Sequence, residues 1–351
     1  MSQPPKHNNP YYDAASEKRS RVRRVLVTLG VTLLVIGLAV GAVYVAFAQL
    51  SHQPQASPSP TLTSQQPGDS AKSDSISQKK TPRGSASGSP EGTNQRESPA
   101  ARSQLNSPPR ACDGVELTSP AAGRLSNQEL RAAFEKVGRD AGATISVAWF
   151  EPVSGKIATA GSAQAWVAWS TSKVPVSVAV SQAGKAGALS GSMSAALRQS
   201  DNGAAEVLWQ SLGASDAARA QAVTQVLRQT GDNSTTVPSA RLRSGFTVFG
   251  QTPWTTASQV GFMMKLPCLA GSGPVVSNMG QVSSGQRWGM GRLPGATFKG
   301  GWGPGVGGYL VRQMGWYQNG EGKRVPLAIA AQAGSFDGGI SVLNQLIAAL
   351  G

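Results

Sequence analysis

The sequence predicts an α+β domain over residues 111–351: a five-stranded, mostly antiparallel sheet flanked by helices, with a separate helical lobe. Three observations predict it. Segments 144–150 and 156–160 read as two strands joined by a turn at 152–155. After a mainly helical stretch that runs to Leu266, segments 296–301, 309–317 and 325–332 read as three more strands. Helical patterns bracket both groups. Two strands, a helical insertion, three strands and a closing helix suit one sheet covered by helices.

The elements follow in chain order. Ser126 and Glu129 form a capping box, and Leu130, Phe134 and Val137 then recur at helical spacing. Residues 204–212 and 215–229 read as helices of the insertion, each closed by glycine or a polar turn. At the C-terminal end Ile340, Leu343, Leu346, Ile347 and Leu350 share one apolar helix side. All eight tryptophans lie from Trp149 to Trp316, so the core belongs here, and about 240 residues suit one body or two lobes.

The region before the domain has a different composition. The net charge of the chain is +14, and Lys18, Arg19, Arg21, Arg23 and Arg24 crowd the end of a basic tail, residues 1–24. Residues 25–48 are uncharged and mostly apolar. As a helix at ~1.5 Å per residue they reach ~36 Å, enough for a ~30 Å hydrocarbon core. The basic cluster then orients the anchor with its N-terminus cytoplasmic and the domain extracytoplasmic. A cleaved signal peptide ending near Ala46-Phe47-Ala48 is the alternative, and the length of the run and its leader favours an uncleaved anchor. Residues 49–110 are rich in Ser, Pro, Gln and Thr and are expected to be a disordered linker. Cys112 and Cys268 are the only cysteines, and in an oxidising compartment they are expected to pair.

Within the domain, Ser170 and Lys173 are spaced to share a helix face, one turn apart. Pro175 places both at the start of that helix, where backbone N–H groups favour developing negative charge. Val176, Val178, Ala179 and Val180 make the helix apolar on most sides and hence buried. A lysine at its head is a candidate for a lowered pKa and general-base duty. A serine-rich cap with a snorkelling lysine would give the same spacing, so the pair alone decides little. Ser200-Asp201-Asn202 precedes the helix at 204 and taken alone is an ordinary N-cap cluster. Lys299-Gly300-Gly301-Trp302 lies on the third strand. The basic residues Arg287 and Arg312 flank it and are candidates for an anionic ligand.

Taken in order, Ser170-x-x-Lys173, Ser200-Asp201-Asn202 and Lys299-Gly300-Gly301 resemble the motifs of serine β-lactamases and penicillin-binding proteins. The run 286–304 is similar to membrane-anchored actinobacterial serine hydrolases. The resemblance implies a β-lactamase-like fold and an acyl-enzyme on Ser170, with Lys173 as base. It also implies that Ser200 relays a proton to the leaving group, while Asn202 positions the substrate and the lysine. Lys299 would supply charge, and the backbone N–H groups of Ser170 and Trp302 would form the oxyanion hole. The implied substrate is a cell-wall peptide or a β-lactam-type amide, bound in part along Gly300 and Gly301, with no cofactor and a monomeric enzyme.

Two departures stand out. Gly300 replaces the usual Thr or Ser, removing a hydroxyl that holds a substrate carboxylate. Class A β-lactamases also carry a loop glutamate that activates the deacylating water. Here Gly231-Asp232 resembles the lead-in to that loop, Arg241 stands where the glutamate is expected, and no Asp or Glu occurs between Asp232 and Glu321. The readings therefore include a β-lactamase with a non-standard base and a penicillin-trapping or non-catalytic wall-binding module.

Composition removes other classes. The only histidines, His7 and His52, precede the domain, which excludes a Ser-His-Asp triad and histidine-based metal hydrolysis there. No phosphate-binding glycine loop opens a helix, so nucleotide binding is not expected; no nucleic-acid partner is expected either.

Overall fold

The computed structural model describes residues 109–120 and 124–350. The expected tail, anchor and nearly all of the linker lie outside the described residues. Among the described residues no helix is long and apolar enough to cross a membrane.

The expected capping box forms: Glu129 N–H donates to the Ser126 side chain, and the Glu129 carboxylate accepts the Ser126 N–H at 2.8 Å. It opens α1, Asn127–Asp140. Strands β1 (Thr144–Glu151) and β2 (Lys156–Gly161) follow as an antiparallel hairpin. The short β3 (Trp166–Val167) leads through a 3-10 turn, Trp169–Ser172, into α2, Lys173–Gln182. Helices α3 (Ser190–Arg198), α4 (Asn202–Gln210) and α5 (Asp216–Gln229) complete the insertion. Then come β4 (Pro253–Trp254), α6 (Thr256–Lys265) and α7 (Gly273–Met279). Strands β5 (Thr297–Gly305), β6 (Gly308–Gln318) and β7 (Arg324–Ala333) precede the closing α8, Phe336–Ala348.

The five long strands form one sheet in the order β2-β1-β7-β6-β5, with every neighbouring pair antiparallel. Both faces are covered, which explains why the strands read as nearly continuous apolar runs. In β1, Ile145, Val147 and Trp149 join Leu130, Phe134, Leu343 and Leu346 of α1 and α8 in one core. The alternate residues Ala148 and Phe150 join the core of the helical lobe with Val176, Leu208 and Phe262. Strand periodicity alone sorts the two sets. At the centre of the lobe, every residue of α2 from Lys173 to Val180 is buried.

Sequence signals cut β5 short at residue 301, because Gly303, Pro304 and Gly305 look like a turn. In the structure β5 stays paired with β6 through Gly305↔Gly308. As an edge strand β5 tolerates Pro304. The small β3–β4 ladder, Trp166↔Trp254 and Val167↔Pro253, carries no sequence periodicity and was not foreseen.

The domain's entry is tied down as expected. Cys112 and Cys268 are disulfide-bonded across 156 residues. By loop-closure entropy a bridge of that span contributes up to about 5 kcal/mol. Beside it Arg324 donates to both carboxylate oxygens of Asp113, at 3.1 and 2.7 Å. Burial opposes ionisation of Asp113, but the Arg324 hydrogen bonds and charge outweigh it and hold the carboxyl below its ordinary range.

Candidate active site

The turn that carries Ser170 is fixed from several sides. Thr171 Oγ1 donates to Ala168 O at 2.6 Å, and Ser172 Oγ donates to Trp169 O at 2.6 Å. Gln259 Nε2 of α6 donates to Thr171 Oγ1 at 2.9 Å. Trp169, immediately before the serine, has φ 50°. This left-handed conformation is unfavourable for a tryptophan, and such strain persists only where packing enforces it. Here packing does so: the Trp169 ring lies where a side chain on Gly303 would be, since a Cβ there would sit 2.6 Å from it. Ser170 itself is half-buried, reachable from solvent at the head of a buried helix.

Two lysines converge on Ser200. Lys173 Nζ donates to Ser200 O at 2.6 Å, to Asn202 Oδ1 at 2.8 Å and to Asp201 O at 3.1 Å, with Ser200 Oγ at 3.5 Å. Lys299 Nζ donates to Ser200 Oγ at 2.9 Å and to Gly300 O at 2.8 Å. Burial lowers the Lys173 amine to about 7, against a smaller opposing effect of the Asp201 charge. Lys299 is held well below the ordinary lysine range by burial and then by the nearby positive charge of Lys173. Neither lysine has an ion-pair partner among the described residues, so neutral amines are favoured and proton exchange near neutral pH becomes feasible. Ser200 has φ 59°, the second non-glycine residue with positive φ among those described. Asp201 caps α4 through Ala204 N–H at 2.6 Å, which sets Asn202 at the first position of that helix.

Strand β5 forms the facing wall. A Cβ on Gly301 would lie 2.8 Å from Ala168 O and 2.9 Å from Ser170 N, so only glycine lets the strand approach the nucleophile's backbone this closely. Gly301 therefore acts through its missing side chain rather than as a ligand contact. The approach lays β5 alongside the Ser170 N–H at Gly301. A Cβ on Gly300 would make only ordinary contacts with Trp288 and Trp302, the shortest 3.4 Å, so the lost hydroxyl is not dictated by crowding.

One expected ligand contact needs correction. Arg312 is fully buried: its guanidinium donates to Trp166 O, Val167 O, Trp254 O and Gln259 Oε1 at 2.7–3.0 Å. Burial lowers it to about 9, which leaves it cationic at neutral pH. Its two terminal nitrogens join β6 to the β3–β4 ladder and to Gln259, while Nε is buried without a partner among the described residues, and through Gln259 and Thr171 the guanidinium steadies the serine turn. Arg287 stacks over Phe298 at 5.9 Å. Arg287 is only partly buried, and among the described residues no hydrogen bond fixes its guanidinium. Sequence reading missed Gln259 and Thr171; a lone glutamine between Thr256 and Val260 in a buried helix face was the available signal.

The loop between α5 and α6 packs against Trp169 and the end of β5. Asp232 at its start is buried and fully engaged: Oδ1 accepts from Ser234 and Thr235, and Oδ2 accepts from Trp254 Nε1 at 3.1 Å. Arg241 is exposed and donates to Phe246 O. Arg243 lies over the Trp169 and Phe246 rings, at 5.6 and 4.8 Å, and donates to Pro304 O at 3.0 Å. The loop thus touches the residue before the nucleophile, and the carboxylate it brings, Asp232, has its oxygens committed to structure.

No protein-family model matches the sequence, and no curated protein resembles it significantly. Solved structures do resemble the fold. One is an extended-spectrum β-lactamase, with TM-score 0.52, 12% identity, and 64% of this chain and 98% of that one covered. A β-lactamase from Chitinophaga pinensis gives TM-score 0.51 at 14% identity, covering 63% of this chain and 96% of that one. A third, from Sphaerobacter thermophilus, gives 0.50 at 16% identity, covering 64% and 96%. The fold of the described domain is β-lactamase-like.

Proposed function

We propose that the domain is a serine hydrolase that forms an acyl-enzyme on Ser170 with a cell-wall peptide or a β-lactam-type amide. The observation that supports this most is the convergence of Lys173 and Lys299 on Ser200 Oγ beside the serine turn. In this reading Ser170 Oγ attacks the carbonyl carbon and its proton passes to neutral Lys173. The carbonyl oxygen becomes an oxyanion held by the N–H groups of Ser170 and Trp302. The C–N bond then breaks as the proton passes from Lys173 through Ser200 to the leaving nitrogen, while the Lys299 amine holds the Ser200 hydroxyl in line. Asn202 keeps Lys173 aimed during this exchange.

Release of the acyl group requires water and a base. General-base assistance is typically worth ~10²–10⁴ in rate. With Asp232 committed and arginines on the rest of the loop, the acyl-enzyme is expected to be long-lived, which favours trapping over rapid turnover as the second reading. We further propose that the domain is monomeric and works outside the membrane, held by residues 25–48 on the linker 49–110; the basic cluster before that segment and the disulfide support this placement. Intact mass after incubation with β-lactams and D-Ala-D-Ala peptides tests the chemistry. A stoichiometric adduct on the wild type and none on Ser170→Ala is the expected result, and equal labelling of Ser170→Ala would refute it.

A further inference from the structure

The proposed reaction leaves one cation at the groove without a task. Arg243 sits on an exposed loop, yet its guanidinium is held in place by two aromatic rings and by the Pro304 carbonyl. Guanidinium carries five N–H donors, and Pro304 O takes one. Among the described residues Arg243 makes no ion pair, and the chain has no acidic residue from 233 to 320 to supply one. Its neighbour Arg241 adds positive charge, which reaches Asp216.

Its position along β5 gives this cation a direction. Lys299 and Ser200 stand at the leaving-group end of the groove, and Trp302 marks the oxyanion position. Pro304 lies two residues further on, ~7 Å along a strand. A ligand with its carbonyl at Ser170 therefore presents its acyl portion to Arg243. At the opposite end Gly300 lacks a hydroxyl, and Arg312 is buried and bonded to four acceptors of the fold.

We propose that Arg243 binds a carboxylate on the acyl portion of the substrate, roughly 7 Å from the scissile carbonyl. Anion recognition then lies on the acyl side of the reacting bond instead of the leaving-group side. The inference rests on the serine-hydrolase reading and names the substrate class for it: acyl donors that are acidic on the retained fragment.

The test uses the full-length chain and two thioester acyl donors of equal length, one bearing a carboxylate at that distance and the other its carboxamide. Acylation rates come from intact mass. The wild type should prefer the carboxylate donor by about tenfold or more, consistent with one charge-assisted contact. Arg243→Gln should bring the ratio of the two rates to near one, while Arg243→Lys keeps part of the preference. Equal rates on the wild type would overturn the inference, as would a ratio that survives in Arg243→Gln. A slower Arg243→Gln with an unchanged ratio would identify a loop brace and overturn it too. Absence of any Ser170 adduct with both donors would instead overturn the serine-hydrolase reading, and this inference with it.

Discussion

Lys173 and Lys299 are buried and share one hydroxyl as hydrogen-bond partner, whereas Arg241 and Arg243, on the loop that packs against Trp169 and the end of β5, are exposed. Both regions are cationic, but the physics differs. Burial pushes the lysines toward neutrality, so they can exchange protons; the arginines lie at the surface, where a guanidinium can meet a ligand. In the proposed mechanism, such a site would form an acyl-enzyme more readily than it would hydrolyse one. The same contrast explains why Asp232 cannot bridge the two halves, since its oxygens hold the loop to Trp254.

The largest effect should come from removing the exchanging amine. Lys173→Ala is expected to lower the acylation rate by ~10²–10⁴, the usual range for a general base. In the wild type that rate should fall about tenfold per pH unit below about 7, because protonated Lys173 cannot accept from Ser170, and level off above it. A pH-rate profile of adduct formation checks the sign; a rate that rises as pH falls would reject Lys173 as base.

Gly301→Ala comes next. Its Cβ would overlap the backbone of residues 168–171, forcing β5 away from the serine turn. We expect acylation to drop by ~10² while circular dichroism retains the fold, in line with the loss of one oxyanion donor. Full activity would show that the strand does not frame the oxyanion position. The smallest change should be a gain: Gly300→Ser fits the available space and restores a hydroxyl. A hydrogen bond to a charged group is worth ~1.5–3 kcal/mol, so labelling by carboxylate-bearing β-lactams should accelerate by roughly tenfold or more. No change in a stopped-flow or mass-based rate would place the β-lactam carboxylate elsewhere.

Much of this was legible in the sequence, and the reasons are local. The capping box at Ser126, the alternating faces of β1 and the apolar α2 follow from periodicity and short-range hydrogen bonding. Ser170, Lys173, Ser200, Asn202 and Lys299 were recognisable because their motifs are contiguous, and the structure brings Lys173, Ser200, Asn202 and Lys299 into hydrogen-bonded contact. Arg312 was misread because a sequence shows its charge and not its burial: four acceptors from three distant segments meet it only after folding. Gln259, Thr171 and the β3–β4 ladder carry no periodic signal at all, and their role exists only through contacts between segments some 90 residues apart.

The central claim is that the groove completes acylation and lacks the means to finish hydrolysis. Its most direct test is one time course at neutral pH: mix the full-length protein with excess reactive β-lactam, remove the excess, and follow the intact mass. A single stoichiometric adduct is expected to form on wild type, to be absent on Ser170→Ala, and to decay over minutes or longer, in keeping with a general-base deficit of ~10²–10⁴. Sustained turnover, with the free mass restored within seconds, would contradict it and show that another group activates water at this site.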